Sequence, residues 1–81
     1  MTKANAIKKL EKAGFTVEKI GHEYVARSDK HPRLISFLIN GSDDSITCIR
    51  TRMPWDKDEI ESDYCGGTWC DNITQAIRLS A

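Results

Sequence analysis

The feature that most narrows the fold is the run from Leu34 to Ile39, apolar except for Ser36 and followed at once by strong turn formers. It is far shorter than the roughly 20 residues of a membrane-spanning helix, so it predicts a strand buried inside a protein. Ile35, Phe37 and Ile39 share one face of that strand and Leu34 and Leu38 the other, which predicts a central place in a sheet for Arg33 to Ile39. A chain of 81 residues and 9.2 kDa can cover such a strand only once, so residues 1–81 are expected to form a single domain.

The flanking sequence supplies the cover. Between Thr2 and Gly14 the apolar residues Ala6, Ile7, Leu10 and Ala13 recur at helical spacing among lysines, and Gly14 is placed to end the helix in a left-handed conformation. Phe15 to Ile20 and Glu23 to Ser28 are β-prone runs around Gly21-His22, the pattern of a hairpin. Asp29 to Pro32 reads as a second turn, with His31 a turn residue before a proline. Asn40 to Asp44 is a loop, and Ser45 to Met53 alternates Ile46, Cys48, Arg50 and Arg52 against Thr47, Ile49, Thr51 and Met53. That fourth strand is expected at an edge of the sheet, with its arginines wet. Gly66-Gly67 precedes a closing helix with Thr68 as N-cap and Trp69, Ile73, Ala76 and Ile77 on one face. The expected fold is α+β: a four-stranded antiparallel sheet with two helices on one face, in the order α-β-β-β-β-α.

The formal net charge is zero, from twelve Lys and Arg against twelve Asp and Glu, which excludes a uniformly basic nucleic-acid arm and an acidic tail. The charge is nevertheless unevenly spread. Residues 1–40 hold eight basic and four acidic side chains, residues 41–81 four and eight, so the two halves carry +4 and −4. Three cysteines, an odd number, and an amino terminus without an apolar signal core point to reduced thiols and a cytoplasmic protein with no membrane segment.

Few residues are arranged for bond chemistry. Cys70, near the start of the closing helix, is the thiol best placed for activation, but Cys65 and Cys70 lack the spacing of a redox motif and Cys48 reads as a strand residue. No finger-like spacing brings cysteine and histidine together for zinc. A calcium loop starting at Asp56 would place Glu61 and Gly67 where glycine and glutamate are required. No metal and no cofactor is therefore expected. His22, on the predicted hairpin turn, is the one candidate general base.

The most unusual composition lies between Trp55 and Tyr64, where Asp56, Asp58, Glu59, Glu61 and Asp63 stand against Lys57 alone. A solvated loop is one reading; the other is a docking surface for a protein partner with a basic surface, bracketed by the aromatic anchors Trp55 and Tyr64. A helix, β-meander and helix also make the layout of a double-stranded-RNA-binding domain, for which Lys8, Lys9 and Lys12 of the first helix and Arg50 and Arg52 of the fourth strand are the basic candidates. The lysine cluster that such domains place at the start of their last helix is here Asp71, and Arg78 is that helix's only basic residue.

Two resemblances extend this reading. Ala-Ile-Lys-Lys-Leu-Glu-Lys-Ala-Gly-Phe15, followed by Gly21-His22 and by Gly67-Thr68 before a short helix, resembles HicA-type ribonuclease toxins, and the resemblance implies RNA cleavage with His22 as base. Ser62-Asp-Tyr-Cys-Gly-Gly-Thr-Trp-Cys-Asp-Asn-Ile-Thr-Gln-Ala-Ile77 resembles the carboxyl ends of small phage and plasmid proteins and of large polyvalent protein-associated modules. The second implies a mobile-element origin and a role in occluding host machinery. The leading expectation is a non-enzymatic protein-interaction module that inhibits a host defence or nucleic-acid-processing complex; a HicA-like ribonuclease and a double-stranded-RNA-binding domain are the alternatives.

Overall fold

The computed structural model describes residues 1–52 and 68–80. Within them the chain is α+β, with an antiparallel sheet and a helix towards each end of the sequence: α1 (Lys3–Lys12), β1 (Thr16–Ile20), β2 (Glu23–Ser28), β3 (His31–Ile39), β4 (Ile46–Arg52), β5 (Thr68–Trp69) and α2 (Ile73–Leu79). The strands pair in sequence order, β1-β2-β3-β4-β5. Among the described residues the sheet thus has five strands where four were expected.

Helix α1 starts at Thr2, whose Oγ1 accepts from the Asn5 N–H at 3.4 Å and whose carbonyl accepts from the Ala6 N–H at 2.9 Å. It ends as the glycine predicts. Gly14 takes φ 97°, its N–H donates to the Glu11 carbonyl, and the Phe15 N–H donates to the Leu10 carbonyl. These paired bonds satisfy carbonyls that a helix end otherwise leaves open. Ala6 and Leu10 are fully buried, and they join Phe15, Ala26, Ile35, Phe37, Ile49 and the α2 residues Ile73 and Ala76 in one core cluster. The sheet face bearing Ala26, Ile35 and Phe37 therefore receives both helices, with the Tyr24 and Phe37 rings stacked 5.6 Å apart beside them.

The β1–β2 hairpin closes on Gly21-His22 in a two-residue loop between the paired Ile20 and Glu23, with Gly21 at φ 61°. Strand β3 begins earlier than expected, because His31 already pairs with Ser28 across an Asp29-Lys30 turn; Pro32 lies inside the strand and is exposed. His31 is accordingly a strand residue, its ring 4.4 Å from that of Phe15.

Strand β4 departs from simple alternation. Ser36 pairs with Arg50 and Leu38 with Thr47, so two steps along β3 answer three along β4. The extra residue is accommodated at Cys48, which adopts φ 53°. The bulge shifts the side-chain phase, so Ile46 and Ile49 both pack against the helix-covered core instead of facing opposite ways.

Two further expectations are corrected at the carboxyl end. Thr68 and Trp69 form β5 against Thr51 and Arg50, and the Cys70 N–H donates to the Ile49 carbonyl at 2.8 Å. That pairing makes β5 the edge and takes β4 inside the sheet. Helix α2 starts later, with Asn72 as its N-cap: Asn72 Oδ1 accepts from the Gln75 N–H at 2.8 Å, and Gln75 Oε1 accepts from the Asp71 N–H at 2.6 Å. The Asn72 cap, with Gln75 reaching back to the Asp71 N–H, satisfies donors at the helix start better than Thr68, four residues upstream, could.

Candidate interaction site: Trp69 over a buried ion cluster

On the sheet face opposite the two helices, the register places Val25, Ser36 and Arg50 in one row and Leu34 beside Arg52 in the next. Glu23, two residues before Val25, points the same way. Strand register and alternation together thus deliver one carboxylate and two guanidinium groups to a common surface.

The carboxylate bridges the two arginines. Arg50 Nη2 donates to Glu23 Oε1 at 2.5 Å and Arg52 Nη1 to Glu23 Oε2 at 3.4 Å, while Arg50 Nε donates to Ser36 Oγ at 3.2 Å. Glu23, Ser36, Arg50 and Arg52 are all buried. Removing such ions from water costs several kcal/mol each, a cost offset only when partners and geometry are supplied together. Glu23 supplies both oxygens, and Ser36 explains why a polar residue interrupts the most apolar strand.

Trp69 sits on top of this cluster. It lies directly opposite Arg50 in the β4–β5 pairing, and its ring centre is 5.6 Å from the Arg50 guanidinium carbon. The indole is nonetheless 55% exposed. A guanidinium fixed from behind by a carboxylate and a hydroxyl holds the ring by cation–π attraction, so the exposed face of Trp69 is held in position from below. Farther along the same face, Arg27 and Glu18 form an exposed ion pair.

The residues singled out from the sequence fall in different places. His22 is exposed at the β1–β2 turn and makes no side-chain hydrogen bond or ion pair with a described residue. Lys8, Lys9 and Lys12 are exposed on α1, whereas Arg50 and Arg52 are buried on the opposite face of the sheet. The two arginines are therefore not the wet residues of an edge strand, and they do not combine with the α1 lysines into one basic surface. Cys70 precedes the N-cap of α2, and its thiol is pushed up, first by burial and then by the neighbouring Asp71 carboxylate, against a lowering hydrogen bond from the Thr51 backbone. This is the reverse of an activated nucleophile. Cys48 is half-buried in the bulge. Trp55, Asp56, Asp58, Glu59, Glu61, Asp63, Tyr64 and Cys65 lie outside the described residues.

Among the described residues no three His, Cys, Asp or Glu side chains gather in a metal-binding group, and no helix is long and apolar enough to cross a membrane. Sequence reasoning missed the role of Trp69, placing it in a helix. The available signals were Glu23, Ser36, Arg50 and Arg52 themselves, polar residues at alternating positions of strands that must otherwise be buried. Compared with known proteins, the chain matches no family model, no curated protein and no solved structure.

Proposed function

We propose that this chain is a non-enzymatic protein-interaction module that works in the cytoplasm, binding through a surface anchored by Trp69. The observation that carries this reading is an indole more than half exposed yet fixed on a guanidinium that is itself held by Glu23 and Ser36. A large aromatic group ordered before binding loses little freedom when a partner covers it, which is the property shared by interface anchors. The partner is a protein with a basic surface, steered by the carboxylates of Asp56, Asp58, Glu59, Glu61 and Asp63 and contacted by Trp55 and Tyr64. The likeness of residues 62–77 to phage and plasmid proteins supports a mobile-element origin and, with it, inhibition of a host defence or nucleic-acid-processing complex.

The test is capture of host proteins on the immobilised wild-type chain and on Trp69→Ala, with folding of both checked by urea denaturation. The reading expects a protein retained by wild type and lost by the variant. Equal retention by both chains contradicts Trp69 as the anchor.

A further inference from the structure

We propose that Asn40 is a site of spontaneous covalent modification in the folded protein, deamidating through a cyclic imide formed with the Gly41 nitrogen. The β3–β4 loop contains the only Asn-Gly step of the sequence, and both residues are exposed. Asn40 Oδ1 accepts from the Ser42 N–H at 3.1 Å and from Ser42 Oγ at 2.8 Å. Two donors on this amide oxygen polarise Cγ and stabilise the negative charge that develops on the oxygen when a nucleophile adds.

The nucleophile is available. The Gly41 N–H donates to no acceptor among the described residues, and Gly41 has no side chain to crowd its nitrogen. The backbone of Asn40 is meanwhile fixed on both sides, its N–H donating to the Ser45 carbonyl at 2.8 Å and its carbonyl accepting from the Asp44 N–H at 3.0 Å. The electrophilic side chain and the adjacent nitrogen lie in a loop open to water and hydroxide.

The step balances without an oxidant or cofactor. Base removes the Gly41 amide proton, the Gly41 N–Cγ bond forms, the Cγ–Nδ2 bond breaks, and the leaving nitrogen takes up a proton to depart as ammonia. Water then opens the imide at either carbonyl, giving aspartate or isoaspartate. Each event turns a neutral amide into a carboxylate beside Asp43 and Asp44, and the isoaspartyl product adds a methylene to the main chain of a loop whose Asp44 carbonyl accepts from the Lys3 N–H. The other asparagines with described surroundings lack this arrangement. The nitrogen after Asn5 belongs to Ala6 and donates to the Thr2 carbonyl, and the nitrogen after Asn72 belongs to β-branched Ile73.

The test is peptide mapping of the intact chain held at mildly alkaline pH, scoring the exchange of NH2 for OH at Asn5, Asn40 and Asn72, for wild type, for Gly41→Ala and for wild type unfolded in urea. A Cβ at Gly41 would meet no heavy atom within 4 Å, and the residue is not in the left-handed region, so Gly41→Ala keeps the fold. The proposal expects Asn40 to react first, at a rate rising with pH, and expects Gly41→Ala to slow it by about tenfold or more. It is overturned if native Asn40 reacts no faster than Asn5 and Asn72, or more than about tenfold slower than in the unfolded chain.

Discussion

Arg50 and Trp69 face each other across β4 and β5, the guanidinium carbon 5.6 Å from the ring centre, with one partner buried and the other open to solvent. The buried partner gives the exposed one its fixed position. Glu23 and Ser36 orient Arg50, Arg50 carries Trp69, and the sheet thereby presents an aromatic surface.

Loss of the Glu23 carboxylate leaves two buried guanidinium groups without their shared partner. Glu23→Gln is expected to lower stability by about 3 kcal/mol, the magnitude typical of breaking a buried ion pair from one side. Urea denaturation gives the value directly. A midpoint unchanged from wild type would mean that the cluster does not hold the sheet face together.

The acidic residues between Trp55 and Tyr64 are proposed to act on encounter. Neutralising three of them with Asp58→Asn, Glu59→Gln and Glu61→Gln is expected to slow association with the captured partner and flatten its dependence on salt, with dissociation little changed. Stopped-flow or surface-based kinetics at several salt concentrations separate the two rates. Identical association rates would remove these residues from the binding reaction.

Gly14 holds φ 97°, and a Cβ placed there would touch only Ser28 Oγ, at 3.9 Å. The cost of Gly14→Ala is therefore set by the backbone, and a loss of about 1 kcal/mol is expected from forcing an L-residue into the left-handed region. A thermal or urea melt reads it. No loss would show that α1 can end without this turn.

Cys70 is pushed above the ordinary thiol range by burial, so its neutral form is favoured more in the folded chain than in the unfolded one. Its contribution to stability is present below the unfolded thiol pKa and is lost as pH rises through the folded one. Alkylation of Cys70 in the native protein is accordingly expected to be slow at neutral pH and to accelerate at a higher pH than for the urea-unfolded chain. Rapid reaction at neutral pH would show an activated thiol instead.

Much of the fold was legible because its signals are local. The β1–β2 hairpin follows from two β-prone runs around Gly21, α1 from its apolar spacing and Gly14, and β3 from the run around Ile35 and Phe37. The errors came where tertiary pairing decides. A two-residue strand such as Thr68–Trp69 has no periodicity of its own; it exists because β4 offers an edge, and without it the sequence places β4 at that edge. Thr68 is also a good N-cap type, and only the bonds from Gln75 N–H to Asn72 and from Asp71 N–H to Gln75 decide against it. The bulge at Cys48 has no sequence marker, since a positive φ there falls on a residue other than glycine or asparagine. For the site, the position of Trp69 on Arg50 and the burial of both arginines depend on β5, which carries no sequence signal of its own.

Trp69 and His22 separate the binding reading from the enzymatic one, because each variant alters an exposed side chain outside the core. The decisive measurement is the affinity of the captured partner for Trp69→Ala and His22→Ala side by side. On the binding reading, Trp69→Ala weakens binding by at least about 2 kcal/mol while His22→Ala binds as wild type does. Full affinity in Trp69→Ala, together with an activity on RNA that His22→Ala abolishes, would contradict it.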